Sequence, residues 1–232
     1  MKKYSKDKCV VFDTRNYTYF KGDKQLIPLT SFLSVFKNPF DSDKQAGKTA
    51  KKEGISKEEV LRRWKEKASQ GTVTHSYFER YFESRELEYI ESNKRLLVAQ
   101  RFIKDYIITN RLIVIDFEFI VYNEYVAYQI DLLCKDIHDN YYIIDFKTND
   151  NISENGFGKT LNGIFCRIPD SNYYHHSLTA SLAKKMIKDY FISKMYIVQI
   201  KEDDYKFIEC VDLAEEIEFN KIYKSYKQLN NL

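Results

Sequence analysis

The chain has 232 residues, with 37 Lys and Arg against 34 Asp and Glu, so its net charge is close to neutral. This length suits one sizeable core, and we expect a single domain over residues 1–232, in which a region 1–70 precedes a core at 71–216. The charge balance excludes a globally basic nucleic-acid-binding protein, so any such contact must come from a local patch.

The N-terminal sequence lacks the apolar segment of a signal peptide, and nowhere do eighteen apolar residues run together. We therefore expect a cytoplasmic protein with no membrane partner. Its four cysteines are widely dispersed, with no pair at metal-ligand spacing, which is typical of reduced thiols.

The first predicted elements are a hairpin and a short helix. Apolar residues alternate over 9–20 around a polar turn, which predicts the hairpin. An apolar helical pattern then runs over 29–36, and Asn38-Pro39 ends it.

A basic helix is predicted over 43–54. Its lysines lie on one helical face, which is either a solvated surface or a contact for phosphates. The DNA-binding candidates on this face are Lys48, Lys51 and Lys52.

Two further helix starts are predicted. Ser56 with Glu59 forms a capping box for a helix that includes Trp64 as a core residue. A second helix begins near Gly71 and places His75 and Glu79, four residues apart, on one face. An isolated histidine is more often structural than a ligand. Residues 96–108 fit either a strand or a helix.

A strand pair over 128–147 contains acids among apolar residues. If the hairpin is symmetric about His138, partner numbers sum to 276 and Asp131 lies opposite Asp145. Lys147 shares the face of Asp145 because side chains alternate along a strand.

The strand before this pair, over 114–122, supplies a third acid. A two-residue turn at Asn123-Glu124 would set Glu118 opposite Gln129 and Asp116 opposite Asp131. Adjacent carboxylates repel, so this pattern favours a divalent cation site. The alternative is a solvated sheet edge.

These residues resemble the core of the PD-(D/E)xK nucleases: Asp131, thirteen residues, then Asp145-Phe146-Lys147. The stretch from Gly71 to Glu79 resembles the GTxxHxxxE motif of their RecB-like, lambda-exonuclease-like branch. The resemblance covers roughly residues 29–216 and implies a restriction-endonuclease-like core. It also implies an Mg²⁺- or Mn²⁺-dependent nuclease.

The resemblance also implies roles for the site residues. Asp131, Asp145, the Phe146 carbonyl and His75 would hold a metal ion. Glu118 would hold a second ion or a water bound to it. Lys147 would orient or activate the attacking water, and Glu79 and Gln129 would support the site.

After the strand pair, a long polar loop over 149–169 is expected to face the substrate. The helix that follows, 173–187, departs from the family's QxxxY pattern, because Thr179 and Ala183 occupy those positions. Tyr174 and His176 are DNA-binding candidates if this helix faces DNA; otherwise it is a packing helix. A last hairpin over 195–211 and a helix over 213–229 complete the chain.

We expect an α/β fold with a mixed central sheet and helices on both faces. The expected function is a DNA exonuclease of phage-type recombination, repair or processing, in the host cytoplasm if phage-encoded. It would act on linear or single-stranded ends, with a recombination protein as a potential partner. A structure-specific endonuclease and an inactive nucleic-acid-binding protein on the same fold are the alternatives. The cysteine spacing predicts no iron–sulfur cluster.

Overall fold

A computed structural model describes residues 2–231. It is an α/β structure in which a nine-stranded mixed sheet carries helices on its faces, which confirms the predicted fold class. Among the residues described, no helix is both long and apolar enough to cross a membrane. In chain order the elements are β1 (Lys2–Tyr4), β2 (Val10–Asp13), β3 (Thr18–Lys21), β4 (Lys24–Pro28), α1 (Leu29–Ser34), α2 (Ser42–Glu53), α3 (Lys57–Ser84), α4 (Lys94–Phe102) with a π-helical extension (Ile103–Ile108), β5 (Ile113–Tyr122), β6 (Val126–Lys135), β7 (Tyr141–Lys147), a 3₁₀ turn (Gly163–Phe165), α5 (Asn172–Met186), β8 (Ile192–Ile200), β9 (Tyr205–Glu209) and α6 (Phe219–Leu229).

The N-terminal strands belong to the same sheet as the later ones. β1 to β4 form an antiparallel meander, and β4 joins β6 in parallel through Ile27 and Pro28. β6 is antiparallel to β5 and β7, β7 is parallel to β8, and β8 is antiparallel to β9. The sequence predicted the hairpins but not the junction between β4 and β6.

Two hydrophobic clusters sandwich the sheet. The larger cluster packs α1, α5 and α6 against one face. The second packs α3 and α4 against the other, where Phe146 of β7 stacks on Phe78 of α3 with ring centroids 3.9 Å apart. This stacking fixes the end of β7 against α3, the helix that carries His75.

α3 is one uninterrupted helix of 28 residues, so the predicted second helix start at Gly71 is wrong. Its N-terminus is the predicted one, since the Ser56 hydroxyl accepts from the Glu59 amide at 3.1 Å. A Cβ at Gly71 would lie 3.0 Å from the Thr148 hydroxyl oxygen. Gly71 therefore allows α3 to approach the chain just beyond β7.

The remaining elements refine the predictions. Residues 96–108, whose sequence fitted either a strand or a helix, are helical and belong to α4 and its π-helical extension. The predicted C-terminal helix begins later, at Phe219. The loop over 149–169 contains the 3₁₀ turn and one bridge, between Thr160 and Pro169.

Candidate functional site

The candidate site lies at a fork between β6 and β7. The two strands pair from Lys135↔Tyr141 to Leu132↔Ile144, which is the predicted register. Beyond Leu132 the main-chain pairing stops, and the carboxylate of Asp131 accepts the Phe146 amide at 2.7 Å instead. The Asp131 side chain thus replaces a main-chain hydrogen bond between β6 and β7, and the two strands separate at this point.

The register of β5 against β6 differs from the prediction by two residues. The turn is centred on Glu124 and Tyr125, because the Asn123 side chain accepts the amides of Tyr125 and Val126 at 2.8 and 2.9 Å. Ile120, instead of Glu118, therefore pairs with Gln129.

The shift also changes the partners of the two β5 acids. Asp116 pairs with Leu133, not Asp131, and is exposed. Since Phe117 pairs with Leu132 and Phe119 with Ile130, Glu118 falls opposite Asp131. Alternation breaks at Glu118, because its φ is 55° and its neighbours Phe117 and Phe119 pack in different clusters. Its side chain contacts Gln129, which precedes Asp131 by two residues on β6.

Asp145 and Lys147 form an ion pair on β7. Lys147 Nζ lies 2.5 Å from Asp145 Oδ2, and the two side chains are 24% and 15% exposed. Tyr128 of β6 donates its hydroxyl to Asp145 Oδ1 at 3.1 Å. Asp145 Oδ2 is buried, and the Lys147 ammonium is its cationic partner.

His75 approaches the same fork from the face of the sheet on which α3 packs. Its Nε2 lies 2.9 Å from the carbonyl oxygen of Phe146, and its Nδ1 lies 3.7 Å from Asp131 Oδ2. Lys147 Nζ also lies 3.3 Å from the Phe146 oxygen. The structure thus brings five predicted site groups together: two carboxylates, one carbonyl, one imidazole and one ammonium.

The electrostatics of the two carboxylates differ. Burial raises the pKa of Asp131, although His75 offsets part of this effect. Burial also opposes ionisation of Asp145, but Lys147 outweighs it and the pKa of Asp145 is lowered. Burial likewise opposes the charge of Lys147, yet Asp145 and Asp131 raise its pKa overall. The lysine is therefore protonated at neutral pH.

The donor set of the fork fits a hard divalent cation. Two carboxylates and a main-chain carbonyl are oxygen ligands of the kind that Mg²⁺ and Mn²⁺ accept. Within residues 2–231 no three His, Cys, Asp or Glu side chains converge as a ligand group by themselves. The Phe146 carbonyl is therefore needed to complete the set.

Glu79, Glu118 and Gln129 form a second group beside the fork. Gln129 Nε2 donates to Glu118 Oε2 at 3.1 Å. Both glutamates contact the ammonium of Lys3 on β1. Sequence reasoning missed Lys3, because this residue lies 115 residues from Glu118 along the chain.

A cavity of about 320 Å³ opens from the fork toward α5 and is lined by Asp131, Asp145, Lys147, His176 and Lys37. Burial lowers the pKa of His176 to about 4, with Lys147 as the next cause. Burial also lowers the pKa of Lys37. Sequence reasoning missed Lys37, which is distant along the chain from the motifs of the site, and Tyr128, which lies three residues before Asp131 on β6 but is not an acid.

His175, next to His176, has a structural role. Its Nε2 pairs with Asp170 at 2.5 Å, and Asp170 also accepts the Asn38 amide at 3.0 Å. This network ties the start of α5 to the chain after α1. Tyr174 packs its ring against Tyr173, with centroids 5.1 Å apart, and does not line the cavity.

The predicted basic face is on α2 and is exposed at Lys48, Lys51 and Lys52. α2 packs on the first turns of α3 through a small separate cluster that includes Val60 and Trp64. Trp64 also lines a groove of about 670 Å³ that extends to His75. The groove therefore runs along α3 from Trp64 to His75.

Comparison with known proteins adds little to this description. No family model matches the sequence, and no curated protein matches it. Among solved structures the chain is similar to one described as the crystal structure of SSO0001, at 12% identity and a TM-score of 0.31, covering 70% of this chain and 87% of that chain. Similarity at this level does not inform the function.

Proposed function

We propose that the protein is an Mg²⁺- or Mn²⁺-dependent DNA nuclease that hydrolyses phosphodiester bonds at the fork between β6 and β7. The observation that carries the proposal is the buried carboxylate of Asp145, which has Lys147 as its cation and lies beside the Asp131 carboxylate and the Phe146 carbonyl. Such a set of oxygen atoms is stabilised by a divalent cation.

Asp131, Asp145 and the Phe146 carbonyl would hold the ion, with His75 as the neighbouring nitrogen donor. The ion supplies positive charge that offsets the charge gained by the phosphate in the transition state. Asp131 also fixes the ion's carbonyl ligand, because its carboxylate accepts the Phe146 amide.

Lys147 would position the attacking water, and Tyr128 would position the carboxylate of Asp145. The pKa of Lys147 is raised, so its ammonium orients the attacking water by donating hydrogen bonds and does not act as the base. Tyr128 holds the Asp145 carboxylate in one orientation.

DNA is the proposed substrate because Lys67, Trp64 and Tyr17 line the groove that extends to the site, and α2 adds exposed lysines nearby in the fold. The exposed lysines of α2 provide phosphate contacts, and Trp64 and Tyr17 line the groove next to His75. We propose exonuclease action on linear ends, in recombination, repair or processing of DNA.

The test is incubation of the wild-type protein with end-labelled linear DNA and with covalently closed circular DNA, each in Mg²⁺ and in Mn²⁺. We expect loss of the linear DNA only, with no loss in Asp145→Asn and normal loss in the surface control Asp203→Asn. Cleavage of the circle would make the protein an endonuclease. Failure to cleave either DNA with either ion would refute the nuclease proposal.

A further inference from the structure

Lys3 forms a three-charge cluster beside the fork. β1 pairs with β2, and in this pairing Lys3 lies opposite Phe12. The Lys3 side chain extends to α3 and β5. Its ammonium contacts Glu79 and Glu118, and the three side chains are only 19%, 30% and 24% exposed. A lysine at the start of the chain thus neutralises carboxylates from two other elements.

Three observations place this cluster next to the proposed ion. Glu79 is one helical turn after His75, which contacts the Phe146 carbonyl. Gln129, which donates to Glu118, precedes Asp131 by two residues on β6. Glu118 itself falls opposite Asp131.

The backbone of β5 is distorted so that Glu118 can take this position. Glu118 has φ of 55°, in the left-handed region that residues other than glycine rarely adopt. Its side chain is held on both sides, by Lys3 and by Gln129. The distortion therefore occurs where the carboxylate meets its cation.

Two half-buried carboxylates that share one neighbour need a positive charge between them, because their repulsion is weakly screened there. The Lys3 ammonium supplies that charge. A second divalent ion at Glu118 would have to displace the ammonium from both glutamates.

We propose that Lys3 is a built-in cation that takes the place of a second divalent ion, so that this site works with a single metal ion. The inference rests on the proposed function, since the single ion is the one assigned to Asp131 and Asp145. It differs from the expectation that Glu118 holds a second ion.

Calorimetric titration with Mn²⁺ tests the proposal through stoichiometry, without any activity measurement. We expect one ion in the wild-type protein and two in Lys3→Met, which keeps most of the aliphatic stem and removes the charge. Lys3→Met combined with Glu118→Gln should return to one ion. Lys2→Met, on the neighbouring exposed residue of β1, is the control and should bind one ion.

The outcomes separate the two proposals. The same stoichiometry in Lys3→Met and wild type would overturn the role of Lys3, whereas a wild-type protein that binds no ion would overturn the ion site at the fork. Glu118→Gln alone provides a test that does not depend on the folding of Lys3→Met. We expect it to keep the single ion, and two ions in wild type with one in Glu118→Gln would contradict the proposal.

Discussion

The pair of Lys147 and Asp145 allows a prediction of stability that does not depend on catalysis. Lys147→Met removes the ammonium 2.5 Å from Asp145 Oδ2 and leaves that carboxylate buried without its partner. Breaking a fully buried pair costs roughly 3–5 kcal/mol. Since the two side chains are 24% and 15% exposed, we expect a loss of about 2–3 kcal/mol in the free energy of unfolding without metal.

The pH dependence of this loss follows from the pKa of Asp145. In the wild-type protein this pKa is lowered, so Asp145 contributes stability above its unfolded pKa of about 4, and the contribution is lost as the pH falls through the folded value. Without Lys147, burial alone would raise the folded pKa and reverse the sign. The deficit of Lys147→Met should therefore be greatest near neutral pH and shrink in acid.

Urea unfolding in EDTA, at several pH values, measures the effect. The double variant Asp145→Asn, Lys147→Met should be more stable than Lys147→Met, because it removes the unpaired charge. Lys194→Met, which breaks the exposed pair with Glu209, is the control and should leave the stability nearly unchanged. Equal losses in Lys147→Met and the control, or a deficit that grows in acid, would refute the reasoning.

Three further predictions concern single features of the site and its surroundings. Tyr128→Phe removes the hydrogen bond to Asp145 Oδ1, so we expect kcat to fall by up to about tenfold while the circular dichroism spectrum is unchanged. An unchanged kcat would show that Asp145 does not depend on this hydroxyl. Gly71→Ala places a Cβ about 3.0 Å from the Thr148 hydroxyl, so its Tm should be lower than that of Gly47→Ala. The Cβ of Gly47→Ala meets no atom within 4 Å, and this variant should gain up to about 1 kcal/mol in the free energy of unfolding. An equal gain at both helical positions would contradict the close approach of α3 to the chain after β7. Replacement of Lys48, Lys51 and Lys52 on α2 by Gln should weaken DNA binding and reduce its salt dependence. The control replaces Lys224 and Lys227 on α6 by Gln and should change neither property. Equal salt dependence of DNA binding in the two variants would show that α2 is not part of the binding surface.

The sequence predicted the part of the site that is local along the chain. The register of β6 and β7 follows from alternation across a short symmetric loop, and it placed Asp131, Asp145 and Lys147 correctly on their strands. The register of β5 was wrong because the Asn123 side chain accepts two amides and moves the turn forward, which alternation alone does not show.

Contacts between distant segments could not be predicted from one sequence. Only two residues of β4 join the N-terminal meander to β6. That short junction and the cluster that packs Val10 and Leu26 against Ile120 hold the meander where Lys3 reaches Glu118. Gly71 was interpreted as a helix start because residues 71–79 resemble the GTxxHxxxE motif, whereas its small size allows the close approach to Thr148 inside α3.

The central claim is that one divalent ion is bound where β6 and β7 diverge. Anomalous scattering from a crystal soaked in Mn²⁺ tests it most directly. We predict a single Mn²⁺ peak at the fork, within about 2.0–2.3 Å of oxygen atoms from Asp131, Asp145 and the Phe146 carbonyl. A crystal with Mn²⁺ bound elsewhere and none at these three oxygen donors would contradict the account.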